Sequence, residues 1–139
     1  MPPVEIAVMT LPGPLGPYVV AATERGLVAA DWASTEEGLL ASLAGRFGTI
    51  ELVRDGAAAD VLAAARPMIE AMLAGERADT ASLPIDLDDR PYFDRVVLGT
   101  VRTIGWGETV SYGGIARAVG APRAARAVGG ALGRNPISL

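Results

Sequence analysis

The spacing of hydrophobic and polar positions changes several times along the chain, and each change marks an element. Val4-Glu-Ile-Ala-Val-Met9 reads as a strand. Residues 10–17 hold three prolines and two glycines and read as a loop. Two further strand-like runs, residues 18–22 and 27–32, flank Glu24-Arg-Gly26 and predict a hairpin. Ser34-Thr-Glu-Glu opens a helix to about Phe47, with Ser34 as cap, acids in the first turn, and Leu39, Leu40 and Leu43 facing the core. Residues 49–53 alternate as a strand. Residues 57–73 carry the helical stripe Val61, Leu62, Ala65, Met68, Ile69 and Met72. Residues 83–87 form a short extended segment that Pro84 confines to a sheet edge. These elements predict a small α/β domain over residues 1–87, a sheet with helices, followed by a linker at 88–91.

Helical spacing alone governs residues 92–139. A helix over 92–103 has Tyr92, Val96, Val97 and Val101 as its apolar positions. A second, over 112–119, buries Ile115, Ala116 and Val119; Ser111 can cap it and Gly120 closes it. Pro122 then opens a third helix over 123–132. Two short helices joined by a tight glycine turn make a helix-turn-helix. The third helix turns Ala124, Val128 and Leu132 to the core, while Arg126, Gly129, Gly130 and Gly133 fall together on the other side beside Ala125 and Ala127. A glycine inside a helix costs roughly 1 kcal/mol relative to alanine. Two readings fit this bare face: a backbone stripped to press against another surface while Arg126 projects, or a frayed and solvated helix end. Trp106 is expected to pack in the preceding turn rather than stand exposed as a phosphate-side contact.

The composition narrows the function classes. A length of 139 residues with 50% hydrophobic content suits one domain or two small ones. No apolar run approaches the roughly 18–20 residues of a membrane span, and the N-terminus lacks a signal-peptide pattern. The absence of cysteine and histidine removes disulfides and makes a zinc site untenable, which favours a cytoplasmic setting. No residue pattern calls for a cofactor. All twelve basic residues are arginine. Residues 1–91 hold six of them against fourteen acids, a net of −8, and residues 92–139 hold six against Asp94 and Glu108, a net of +4. A polyanion would therefore be met by the C-terminal half.

Tyr92-Phe-Asp-Arg-Val96, Gly107-Glu-Thr-Val-Ser-Tyr112, Ile115-Ala, Gly120-x-Pro122-x-Ala-Ala-Arg126-Ala-Val-Gly-Gly and Gly133-Arg-Asn135-Pro136 resemble the DNA-binding half of the O6-alkylguanine-DNA alkyltransferases (methylated-DNA–protein-cysteine methyltransferases). The resemblance covers about 48 residues in order and without gaps; over residues 1–91 it rests only on element order. It implies a winged-helix-like domain that binds double-stranded DNA in the minor groove, rotates an O6-alkylguanine out of the stack and transfers the alkyl group to a cysteine. By the same resemblance Arg126 takes the place of the extruded base, and Tyr112 crowds the neighbouring phosphate and lines the pocket. Ala125, Ala127, Gly129 and Gly130 lie against the groove, and Asn135 ties the recognition helix to the active-site segment. Leu98 and Gly105 depart from the family's common tryptophan and proline, and Gly105 is expected to loosen its turn.

The acceptor is missing. Family members continue from Asn-Pro into Pro-Cys-His-Arg, whereas this sequence has no cysteine and no histidine. A thiolate is the nucleophile the chemistry requires, so these residues alone should be inactive. The wing and last helix of the fold are likewise expected to be lacking, leaving apolar faces of the 92–103 and 128–132 helices partly uncovered. The chain would then be unstable alone, or completed by another segment, another chain or self-association. Three functions compete: part of an authentic alkyltransferase, a non-catalytic binder of alkylated DNA, and an inactive truncated product. Arg126→Ala is expected to weaken lesion binding in the first two, and Arg46→Ala in the acidic half to leave it unchanged.

Overall fold

The computed structural model describes residues 2–32 and 35–139. They form two compact units, one comprising the chain up to Asp89 together with Pro136–Leu139, the other Arg90–Asn135.

The first unit is built on a four-stranded sheet ordered β3-β2-β1-β4, from β1 (Val4–Gly13), β2 (Gly16–Thr23), β3 (Gly26–Trp32) and β4 (Ile50–Leu52). The first three strands are antiparallel, and β4 runs parallel to β1 in the register Val4↔Ile50. The expected loop at 10–17 is mostly strand, because its two ends pair as a tight hairpin: Leu11↔Tyr18, Pro12↔Pro17, Gly13↔Gly16. Prolines facing each other at one pair fit a ladder that needs no N–H there. Gly13 is required by packing, since a Cβ would lie 2.5 Å from the Trp32 ring. Trp32 in turn meets Tyr18 edge-on at 4.9 Å.

Alternation gives the sheet two buried faces. Ile6, Val19, Ala21, Val28 and Ala29 cluster with Leu39 and Leu43 of α1 (Glu36–Phe47). On the other set of positions, Ala7, Leu11, Tyr18, Val20 and Ala22 are buried. α2 (Ala57–Leu73) packs on β1 and β2 and buries Ala58, Leu62, Ala65 and Ile69, a narrower stripe than the six residues expected. Ser34, the expected α1 cap, lies outside the described residues. Thr35 caps the helix, its Oγ1 accepting from the Gly38 amide at 3.0 Å.

The outer edge of β3 is covered by two segments distant in sequence. Residues 83–87 contribute one parallel bridge, Leu27↔Ile85, with the Leu27 amide donating to Pro84 O at 2.9 Å and Asp86 N to Leu27 O at 2.8 Å. Gly26 allows this approach; its Cβ would sit 2.7 Å from the Pro84 backbone. Further along, Ala30 N donates to Pro136 O at 3.0 Å and Ser138 N to Ala30 O at 2.8 Å, making the parallel bridge Ala30↔Ile137. Tyr18 Oη donates to Ser138 O, and burial pushes the phenol pKa up. Covered in this way, the β3 edge has fewer free backbone groups to template another strand. Pro136–Leu139 therefore pack with the first unit, and the two units part between Asp89 and Arg90.

The second unit is helical: α3 (Tyr92–Val101), α4 (Tyr112–Ala118) and α5 (Ala125–Gly133) around Val97, Ile115, Ala116, Val128 and Ala131. α3 stops two residues short of the expected end, its exit tightened by Thr103 N→Thr100 O and Ile104 N→Val101 O bonds of 3.0 and 3.1 Å. α5 begins at Ala125, not Arg123. Pro122 instead sits second in a turn closed by Ala124 N→Ala121 O at 2.9 Å, where its fixed φ suits a type I turn. Ala131 takes the fully buried position expected for Leu132, which is half-buried. On α3, Val97 and Leu98 are buried, Val96 and Val101 half-buried, and Tyr92 exposed.

Candidate nucleic-acid interface

The helix-turn-helix is set up by the loop before it. Gly107 has φ 78°, where a Cβ would be strained, and Glu108 N donates back to Gly105 O at 3.0 Å. The Glu108 carboxylate also accepts from Gly105 N at 3.3 Å, and a Cβ on Gly105 would lie 2.9 Å from that carboxylate. The Glu108 side chain thus lies close against Gly105 in the turn. Ser111 caps α4, its Oγ accepting from Gly114 N at 3.0 Å, which fixes the start of the helix at Tyr112. Trp106 is 58% exposed, against the expectation that it packs in the turn.

Along α5, Arg126, Ala127 and Gly130 are exposed, and Ala125 and Gly129 half-buried. Arg126 makes no hydrogen bond or ion pair among the described residues, so its guanidinium is available. The glycine face is less bare than its sequence suggests. A Cβ on Gly129 would lie 3.1 Å from Cε2 and 3.3 Å from Cδ2 of Tyr112, so the exposed phenol ring rests on that glycine. A Cβ on Gly130 would lie 3.2 Å from Nη1 of Arg134. Only Gly133 of the three faces open space. Two of the glycines thus have a side chain against them, the Tyr112 ring on Gly129 and the Arg134 guanidinium beside Gly130.

Arg134 is held by a partner that sequence reasoning missed. Its Nε and Nη2 donate to Oδ2 and Oδ1 of Asp94 at 2.9 and 2.8 Å, a bidentate pair joining α3 to the end of α5. Asp94 is 2% exposed, and the Arg134 hydrogen bonds lower its pKa against the opposing effect of burial. The signal was present: Asp94 lies three and four residues before Val97 and Leu98, on the buried side of α3, where a carboxylate requires a partner. Asn135 is half-buried, its backbone N–H donating to Leu132 O at 3.1 Å. The unit carries seven arginines against Asp94 and Glu108, a net of +5. No group of His, Cys, Asp or Glu among the described residues is placed to hold a metal, and no helix among them is long and apolar enough to cross a membrane.

Two family models match, together spanning most of the chain: 6-O-methylguanine DNA methyltransferase, ribonuclease-like domain, over residues 8–87, and 6-O-methylguanine DNA methyltransferase, DNA binding domain, over residues 92–139. The chain belongs to the 6-O-methylguanine DNA methyltransferase family. Within this DNA-repair alkyltransferase family it is 47% identical over 78 residues to the methylated-DNA–protein-cysteine methyltransferase of Mycolicibacterium paratuberculosis, covering 55% of this chain and 46% of that protein. It is 33% identical over 127 residues to the Escherichia coli bifunctional transcriptional activator/DNA repair enzyme Ada, covering 90% of this chain and 34% of that one. It thus spans about half or less of the length of these curated relatives. The crystal structure of Mycobacterium tuberculosis OGT in complex with DNA superposes with a TM-score of 0.71 at 32% identity, covering 98% of this chain and 73% of that chain. Both units accordingly have counterparts in the family fold, and the helical unit is its DNA-binding domain.

Proposed function

We propose that this chain is the lesion-recognising part of an O6-alkylguanine-DNA alkyltransferase. It binds duplex DNA through α4 and α5 and presents an extruded O6-alkylguanine to an acceptor cysteine that these residues do not contain. The observation that carries the reading is Arg126: an unpartnered, exposed guanidinium on a helix face of small residues, with the Tyr112 ring seated one turn away on the same helix. Arg126 fills the space vacated by the base, Tyr112 crowds the adjacent phosphate, and Ala125, Ala127, Gly129 and Gly130 allow the helix to approach the groove. Asn135 directs the chain from α5 toward the segment that carries the thiol. Because the sequence has no cysteine, these 139 residues bind the lesion without removing its alkyl group, as a non-catalytic binding module would.

Anisotropy titration of a duplex with one O6-methylguanine tests the reading. Arg126→Ala is expected to weaken binding by about tenfold or more. Arg77→Ala, an exposed and unpartnered arginine of the other unit, is expected to leave it unchanged. Equal losses from the two variants would overturn the site assignment. Intact-mass analysis after incubation with the methylated duplex is expected to show no methyl gain; a gain would overturn the inactivity.

A further inference from the structure

Gly129 and Tyr112 meet across the turn of the helix-turn-helix, and the contact has a direction. Tyr112 is the first residue of α4, where the Ser111 cap fixes the start of the helix. Its ring extends over α5 and is 55% exposed, hence free to move outward but not inward. Inward motion is stopped by Gly129, where even one added carbon would stand 3.1 and 3.3 Å from the ring. Contacts that short are rare for real Cβ atoms, and a few tenths of an ångström must be given up. The yielding group would be the exposed ring, since Gly129 lies within α5 between the buried Val128 and Ala131. A methyl group at position 129 therefore displaces the phenol before it displaces α5.

We propose that Gly129 is a positioning residue for Tyr112: the missing Cβ is the seat that sets where the phenol is presented to DNA. The proposal rests on the DNA-binding reading above and deepens it, because it assigns the glycine an action through Tyr112 rather than only direct contact with the groove.

Two measurements decide it. In the free protein, the Gly129 Hα signals should show a ring-current shift that persists in Tyr112→Phe and disappears in Tyr112→Ala. Gly129→Ala should move the Tyr112 ring signals while leaving those of Ile115 and Val128 in place. Unmoved Tyr112 signals would overturn the seat, and this readout requires no DNA. The second measurement is a double-mutant cycle on affinity for a duplex containing O6-methylguanine. Gly129→Ala should weaken binding about fivefold in the wild-type background and not at all in Tyr112→Ala. An undiminished loss in Tyr112→Ala would mean that the glycine acts by its own groove contact, and the proposal would fail. If the wild-type chain and Arg126→Ala bound the duplex equally poorly, the DNA-binding reading would fail instead, with the ring signals still deciding the seat.

Discussion

Arg46 was expected to be a neutral control in the acidic half, and its surroundings make it the opposite. It sits in the last turn of α1, where a cation also suits the helix dipole. Its Nε and Nη2 donate to the Asp89 carboxylate at 2.8 and 2.9 Å, and its Nη1 to Val28 O of β3 at 2.7 Å. The guanidinium lies 5.0 Å from the Phe47 ring centroid. The two side chains of the pair are only 10% and 12% exposed. Arg46→Ala therefore removes the bidentate partner of a nearly buried carboxylate and one acceptor's bond on β3. Breaking a buried pair from one side costs about 3–5 kcal/mol, and the residual exposure points to the lower end, about 3 kcal/mol. For a chain of this length that lowers Tm by about 10 °C. Urea unfolding of Arg46→Ala, Asp89→Ala and the double variant measures it, and the double variant should cost less than the two singles combined, by about 1–3 kcal/mol. A loss under about 1 kcal/mol, or strict additivity, would refute the reasoning. Any apparent loss of DNA binding by Arg46→Ala then reflects unfolded protein, which is why Arg77→Ala is the better control.

Gly26→Ala places a Cβ 2.7 Å from the Pro84 backbone, which cannot rotate aside, so urea denaturation should show a loss of about 1–3 kcal/mol. Asp94 gives a pH dependence of definite sign. Its folded pKa lies below the unfolded one, so its contribution is fully present above the ordinary carboxylate value and is lost as pH falls through the folded pKa; acid titration of Asp94→Asn should lack that part of the acid limb. Arg123 lies exposed and unpartnered in the turn before α5, and as a phosphate contact its replacement by Ala should reduce the slope of log affinity against log salt by about 1, measured on unmodified duplex.

Local signals were legible and distant pairings were not. The α2 helix begins and ends where its apolar stripe does, at Ala57–Leu73, with Pro67 tolerated inside it. The hairpin around Glu24-Arg-Gly26 likewise follows from neighbouring residues. The 10–17 segment was misread because proline and glycine mark turns in general, and only the register reveals Pro12 opposite Pro17. The Ala30↔Ile137 bridge and the Asp94–Arg134 pair span 107 and 40 residues, and no periodicity encodes a partner at that separation. In the proposed interface, the grouping of Arg126 with small residues on one side of α5 could be read from the sequence, but the Tyr112 ring over Gly129 could not, because it depends on how α4 and α5 pack.

Net charge alone overstates what the helical unit can offer to DNA, because its seven arginines are not equivalent. Arg134 is committed to Asp94, and Arg95 lies over the Tyr92 ring at 5.8 Å. Arg90 and Arg102 are also engaged in interactions within the fold. Arg117, Arg123 and Arg126 are exposed with no hydrogen bond, ion pair or ring contact among the described residues, and all three lie between the start of α4 and the first turn of α5. The free cations and the helix face of small residues therefore coincide on one supersecondary element, although the whole chain carries −4 and a pI near 4.8. An acidic protein can hold a DNA-binding surface when its basic groups are separated by sequence and its buried acids are matched to particular arginines. Asp94 is matched in this way: it holds the Arg134 guanidinium at the end of α5, beside Gly130, and Arg117, Arg123 and Arg126 are left as the uncommitted charge of the helix-turn-helix.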